Sequence, residues 1–264
     1  MTKKRIDILL VERGLAESRN RAQRLVMAGE VRVNGEMVHK SSTQVGEDAQ
    51  IEVKKRPKYV SRGGKKLAAA IEGFKVDVAD KVCADVGAST GGFTDCLLQK
   101  GAQKVYAIDV GYGVLHWKLR QDPRVIVMER TNARYLDQLP EPVQIVTIDA
   151  SFISLSLILL AVRGWFSDPN GQVIALIKPQ FEAGRKAAAV HAGVIRDRAV
   201  HHMVLMDTLS SAVALEFIPV GLIPSPIRGP KGNVEFLVDL RVSNLEKLPD
   251  IENLIQAALD MIPD

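Results

Sequence analysis

The chain has 264 residues, 47% of them apolar and 25% charged, which is the balance of a soluble globular protein with room for one large domain or a large and a small one. Its longest apolar stretch, around Leu155 to Val162, falls well short of the roughly 20 residues that span a bilayer. No apolar core follows the charged N-terminus, so neither a membrane protein nor an exported one is expected. The net charge of +4 is unevenly spread: residues 1–66 hold 16 Lys and Arg against 8 Asp and Glu, and the remainder 19 against 23. A basic module on a mildly acidic body points to a polyanionic partner. Cys83 and Cys96 lack metal-ligand spacing and read as small buried residues in a reducing cytoplasm, with no metal site expected.

From the N-terminus, Ile6, Leu9 and Leu10 recur at helical spacing, and Gly14 ends that helix. Ser18 reads as the N-cap of a second helix that buries Ala22, Leu25 and Val26, with Gly29 past its end. Arg19, Arg21 and Arg24 share this helix and cannot all face a core. Asn34-Gly35 between alternating apolar residues predicts a hairpin, and Ile51-Glu52-Val53 a third strand. The stretches Arg5-Ile6-Asp7-x-Leu9-Leu10, Gly14-Leu15-x-x-Ser18-Arg19-x-x-Ala22 and Gly29-x-Val31-x-Val33-Asn34-Gly35 resemble the S4 RNA-binding module. The resemblance implies a small α+β domain, residues 1–56, that holds structured RNA through its phosphates. Arg5, Arg19, Arg21 and Arg24 would be its contacts; the plainer reading is a solvated arginine face.

The basic run 54–60, broken by Pro57, leads into an interdomain linker placed at 57–62, and the second domain is taken as 63–264. Arg62 is counted among the RNA contacts. Gly63-Gly64 before Lys65-Lys66 reads either as a loop approaching a ligand or as a flexible one, followed by a helix carrying Leu67, Ala70, Ile71 and Phe74.

The most informative stretch is 82–94. An apolar run ends in Asp85, a glycine-rich turn follows (Gly87, Gly91, Gly92), and Phe93, Leu97 and Leu98 open a helix. The spacing Asp-x-Gly-x-x-x-Gly-Gly is not the dinucleotide fingerprint. An acid before the first glycine would repel a pyrophosphate and welcome an amino group. Asp109 ends the next apolar run, where an acid accepts hydrogen bonds from ribose hydroxyls. The arrangement resembles the S-adenosylmethionine (SAM) site of Rossmann-like methyltransferases. Cofactor contacts are expected from Asp85, Gly87, Ser89, Thr90, Gly91 and Asp109, with Asn132 or Asp149 toward the adenine.

Strands at 82–86, 104–109, 125–128, 143–148 and 172–177, mostly separated by helices, predict an α/β domain with a doubly wound parallel sheet. Asp149 and Lys178 follow two of these strands, at the edge where such sheets bind ligands. A helix at about 197–214, a strand at 217–221, a Pro/Gly-rich loop at 224–232, a last strand from Val234 to Leu240 and a terminal helix complete the chain.

Lys66, Asp149, Lys178 and Glu235 stand out as a charged set. Such a tetrad resembles that of the FtsJ/RrmJ-type ribose 2′-O-methyltransferases. With Ser61-Arg62-Gly63, Asp109-Val-Gly-Tyr-Gly, Glu129-Arg-Thr-Asn132-Ala-Arg, Ser151-Phe-Ile-Ser-Leu, Lys178-Pro-Gln-Phe-Glu and Gly232-Asn-Val-Glu235, the whole chain resembles the TlyA family. The resemblance implies SAM-dependent methylation of a cytidine 2′-hydroxyl in ribosomal RNA. A cytoplasmic monomer that meets ribosomal subunits as its large partner is the accompanying expectation. A lysine becomes a base where burial and a second ammonium lower its pKa, and Lys178 is the expected one, with Asp149, Lys66 and Glu235 orienting. Two other readings stand beside it: a non-catalytic RNA-binding or ribosome-assembly factor, and a membrane-active hemolysin, since the family carries that label. A pseudouridine synthase, another S4-bearing class, has no use for this glycine turn. Tyr112, His116 and Trp117 could line the adenosine or merely pack, Arg134 and Arg228 flank the mouth, and His191, His201 and His202 read as surface residues.

Overall fold

The computed structural model describes residues 2–54, 57–166, 171–183, 194–242 and 250–262. The chain divides into two compact units, Met1–Pro57 and Lys58–Asp264.

In the first unit, strand β1 (Lys3–Arg5) runs into helix α1 (Ile6–Glu12), and α2 (Arg19–Met27) follows. Ser18 caps α2 by accepting from the Arg21 N–H. Strands β2 (Val31–Val33) and β3 (Glu36–Met37) form the hairpin, with Asn34 and Gly35 both at positive φ, as a two-residue primed turn requires. Strand β4 (Gln44–Gly46) pairs with β1, a pairing the sequence pattern did not announce, and β5 (Ile51–Val53) pairs with β2. Ile6, Leu10, Ala22, Val26 and Val31 form a fully buried core. Beside it lies Asp7, also fully buried. It accepts two hydrogen bonds from Arg5 (3.0 and 2.9 Å) and one each from Arg19 and Gln23 (both 3.0 Å).

The second unit is a three-layer αβα sandwich. Its elements are α3 (Gly63–Gly73), β6 (Val82–Val86), α4 (Gly92–Gln99), β7 (Lys104–Ile108), α5 (Trp117–Arg120), β8 (Val125–Met128), β9 (Ile145–Ile148), α6 (Leu155–Val162), β10 (Gln172–Ile177), α7 (Pro179–Glu182), α8 (Arg198–Ala214), β11 (Phe217–Pro224), β12 (Phe236–Val242) and α9 (Ile251–Asp260). The sheet order is β11-β12-β10-β9-β6-β7-β8, with β12 alone antiparallel to its neighbours. Because β6 and β7 are buried on both faces, successive residues feed opposite cores. Ala84, Val86, Tyr106 and Ile108 pack with α6, α8 and α9, while Cys83, Val105 and Ala107 pack with α3 and α4. Both cysteines are buried, and burial pushes the Cys83 thiol up to about 12 and the Cys96 thiol to about 11.

Residues 58–62 pack on this second unit. Tyr59 is buried, and the Val60 N–H donates to Asp95 at 2.9 Å. Gly63 and Gly64 begin helix α3 rather than a loop. A Cβ on Gly64 would lie 2.3 Å from the Tyr59 ring, so glycine is required there by packing.

Two buried carboxylates make opposite predictions. Hydrogen bonds led by Arg5 hold Asp7 well below the usual carboxylate range, so its contribution to stability is present above about pH 4 and is lost only in stronger acid. Asp7→Ala leaves four N–H donors on three side chains without their acceptor, and α2 amides should exchange about tenfold faster or more at neutral pH. Unchanged protection in that helix would contradict this. Burial instead pushes Asp85 up to about 6, against hydrogen bonds from Thr94 and Thr147. The folded state then binds the proton first, and stability falls as pH rises from about 4 to about 6. Urea unfolding across pH 3.5–7 should show wild type losing up to about 3 kcal/mol relative to Asp85→Asn. Parallel curves for the two proteins would refute the assignment.

Candidate active site

Strand order reverses between β6 and β9, and a ligand crevice opens at the C-terminal ends of such strands. The turn after β6 is shaped to sit against the end of β9. Gly87 has φ +79°, and a Cβ on it would lie 2.7 Å from the Asp149 carbonyl oxygen. The Gly87 and Ala88 N–H groups both donate to the Ile108 carbonyl at 2.9 and 3.1 Å, which ties the turn to β7.

Two clefts meet at this point and share Gly87, Ser89, Asp149 and Ser151 as walls. The larger, about 480 Å³, runs toward β7 and β8 and includes Asp109, Thr131 and Asn132. The Asp109 carboxylate accepts the Ser89 and Gly111 N–H groups, each at 2.7 Å. A carboxylate has about four acceptor sites, so capacity remains for ribose hydroxyls. Asn132 caps a single 3-10 turn by accepting from the Arg134 N–H at 3.1 Å. Phe152, at φ +64° and 88% exposed, stands in this wall against the Phe181 ring, 4.7 Å between centroids. The size, the glycine cradle and the acid at the end of β7 fit a nucleoside bearing a short polar tail.

The second cleft, about 290 Å³, carries the charged set. Lys178 Nζ lies 2.6 Å from Asp149 Oδ1 and donates to Ser151 Oγ at 2.9 Å. Lys66 Nζ donates to Glu235 Oε2 at 2.5 Å. Lys66, Asp149 and Lys178 line the cleft, whereas Glu235, only 2% exposed, stands behind Lys66. A Cβ on Gly229 would come within 2.7 Å of Glu235 Oε1, so the loop before β12 closes tightly over that carboxylate. Glu182 joins the ends of β9 and β10 from below. It accepts the Ser154 hydroxyl and the Leu155 N–H, both at 2.8 Å, and burial pushes its carboxyl above the usual range.

Of the residues expected to touch the cofactor, Gly87, Ser89, Asp109 and Asn132 line the larger cleft. Asp85, Thr90 and Gly91 line neither cleft. The expectation that Asp85 meets a ligand amino group is corrected by its surroundings. It is fully buried and accepts the Thr94 N–H (2.8 Å), the Thr94 hydroxyl (2.6 Å) and the Thr147 hydroxyl (3.1 Å). Gly91, at φ +95°, turns the chain over Leu115 and Leu119 instead. Thr90 gives its carbonyl to the His116 N–H. Neither Tyr112, His116 nor Trp117 reaches the larger cleft.

Among the expected RNA contacts, Arg62 lines the cleft of the charged set, and Arg5 and Arg19 are fastened to Asp7. Arg21 and Arg24 form no ion pair among the described residues. His201 is buried, 3% exposed, not a surface residue, because it lies on the inner face of α8 against Phe236. His191 and, in the basic run 54–60, Lys55 and Arg56 fall outside the described residues. Sequence reasoning did not single out Ser151 and Glu182, whose hydrogen bonds brace the strand ends at this crevice. Their signal was proximity: each lies within four positions of a charged residue already singled out at a strand end.

The FtsJ-like methyltransferase profile matches residues 59–242, and the S4 domain profile matches residues 4–51. YqxC of Bacillus subtilis, provisionally an rRNA methyltransferase, is 50% identical over 90% of this chain and 85% of its own. The 16S/23S rRNA (cytidine-2′-O)-methyltransferase TlyA of Mycobacterium tuberculosis is 44% identical over 90% and 89%. A solved structure of a candidate hemolysin from Streptococcus thermophilus is 42% identical, covers 98% of this chain and 97% of its own, and superposes with a TM-score of 0.72. Among the described residues no helix is long and apolar enough to cross a membrane. With its S4 domain, glycine-turn cleft and lysine–carboxylate pairs, the chain belongs to the TlyA family of FtsJ-like, SAM-dependent methyltransferases.

Proposed function

We propose that this protein methylates the ribose 2′-hydroxyl of a cytidine in ribosomal RNA, with Lys66, Asp149, Lys178 and Glu235 as its catalytic set. The observation that carries the reading is the junction of the two clefts. One fits a nucleoside cofactor, the other holds two lysines clamped by carboxylates, and Asp149 belongs to both. SAM supplies an already activated methyl group. Gly87, Ser89, Asp109 and Asn132 would hold it, with Asp109 toward the ribose.

What the chain must add is proton removal and orientation. A ribose hydroxyl is a weak nucleophile and loses its proton as it attacks. Lys178 is positioned for that proton. Asp149 and Ser151 fix its Nζ on two sides, which leaves the third direction for a substrate hydroxyl. Lys66, fixed by Glu235, is a second cation on the same wall and orients the nucleotide. In the S4 domain Arg21 and Arg24 would hold RNA phosphates, with Arg62 at the catalytic cleft. The names of the rRNA-methylating relatives support the substrate class.

The test is methyl transfer from labelled SAM to ribosomal subunits that lack the modification, with the product mapped by resistance to alkaline cleavage. Lys178→Ala should lower turnover at least about 100-fold while SAM affinity changes less than about threefold. Label on a base, or equal loss of SAM binding, would overturn the role given to Lys178. Gly87→Ala should do the reverse. Its Cβ meets the Asp149 carbonyl, so cofactor affinity should drop about tenfold or more in calorimetry, and retained affinity would refute the cradle.

A further inference from the structure

A third cleft, about 290 Å³, opens beside the catalytic one and shares Arg228 with it. Its walls come from the start of α8, the loop before β12 and the end of α9: Arg196, Arg198, His201, Arg228, Val234 and Leu259 among them. Three guanidinium groups in one small cleft are costly unless they have anionic company. Arg198 has some, since it pairs with Asp260 and donates to the Leu259 carbonyl at 3.4 Å. Asp197 is occupied as the cap of α8, accepting the Ala199 N–H at 2.8 Å. Arg196 forms no ion pair among the described residues, and Arg228 makes only a long contact, 3.5 Å, to the Gly232 carbonyl.

The second observation is His201. Its ring is 3% exposed and packs edge-on against Phe236, 5.6 Å between centroids. The ring lies in the cleft wall beside Ile195, whose backbone is within hydrogen-bonding reach of it, and close to Arg228. A phosphate held between Arg196 and Arg228 would sit against this ring. The cleft also stands next to the tetrad: Arg228 precedes Gly229, where an added Cβ would come within 2.7 Å of Glu235 Oε1.

We infer that the Arg196–His201–Arg228 cleft binds a backbone phosphodiester of the substrate RNA next to the nucleotide being methylated. This deepens the proposed function and rests on it. Arg228, common to both clefts, contacts that phosphate and carries the strand from it into the catalytic cleft. A free phosphate or nucleotide offers the same chemistry, and the test separates the two sources.

The experiment uses the full-length protein and unmodified ribosomal subunits, with binding measured against salt concentration. Removing one phosphate contact should reduce the slope of log affinity against log salt by about 1, so Arg196→Gln should show that change, with affinity falling about fivefold or more near 100 mM salt. SAM affinity should stay as in wild type. The imidazole of His201, identified in nitrogen-labelled protein by loss of its signal in His201→Phe, should shift on adding subunits. Inorganic phosphate at 10 mM should leave the signal in place. A shift with phosphate alone, saturating and blocking the effect of subunits, would assign the cleft to a free anion and overturn the RNA reading. An unchanged salt slope in Arg196→Gln together with an unshifted His201 signal would sink the site itself. Failure of wild type to bind or methylate subunits at all would instead remove the proposed function beneath it.

Discussion

The Asp85 carboxylate, out of contact with water, gathers three donors from two elements: the Thr94 N–H and hydroxyl at the start of α4, and the Thr147 hydroxyl on β9. Burying a carboxylate is unfavourable, and hydrogen bonds of this kind offset the cost only when their geometry is fixed. The constraint therefore works outward. It holds α4 at a set angle to β6 and keeps β6 against β9, the two strands between which the sheet order reverses. Only with those strand ends fixed can Gly87 approach the Asp149 carbonyl, and only then do the two clefts share a wall. The residue that most resembled a ligand contact in the sequence is the one that builds the crevice.

That substitution of role shows what sequence reading could reach. The strands around 82–177, the hairpin at Asn34-Gly35, the cap at Ser18 and three of the four tetrad residues on one cleft were legible, because local periodicity and strand-end position determine them. The pairing of β1 with β4 was not, since two three-residue strands far apart in sequence leave no pattern. Nor was the direction of the Asp85 side chain. Strand alternation says which residues share a face, but both faces of β6 are buried and no polar–apolar alternation separates them. His201 was missed for a related reason. Within the 17-residue α8 it is one polar residue in a mixed run, and only packing against Phe236 turns it inward.

The lysines explain why the charged set is clamped rather than free. Lys66 and Lys178 are nearly buried, and a buried ion pair contributes little net stability because desolvation cancels most of its attraction. Such pairs are better understood as positioning devices. Glu235 is pressed from behind by Gly229 and holds one amine, while Asp149 and Ser151 hold the other from two directions. Each ammonium loses rotamer freedom before substrate arrives, so that entropy is not lost again in the reacting complex. The cost falls on folding, where a large two-faced core can absorb it.

Charge counting misleads on where RNA is gripped. Residues 1–66 carry twice as many basic as acidic side chains, but two of the most suggestive arginines, Arg5 and Arg19, spend their hydrogen bonds on Asp7. They stabilise the fold of the S4 domain first, and what remains for a polyanion on α2 is Arg21 and Arg24. The second unit, residues 58–264, balances 23 Lys and Arg against 23 Asp and Glu, yet it concentrates guanidinium groups where they are least cancelled, with Arg62 and Arg228 on the cleft of the charged set and Arg196 on the cleft beside it. A body whose charges cancel can therefore still attract a phosphate backbone locally, because over distances below a Debye length of about 8 Å the nearest charges decide the potential and the total does not.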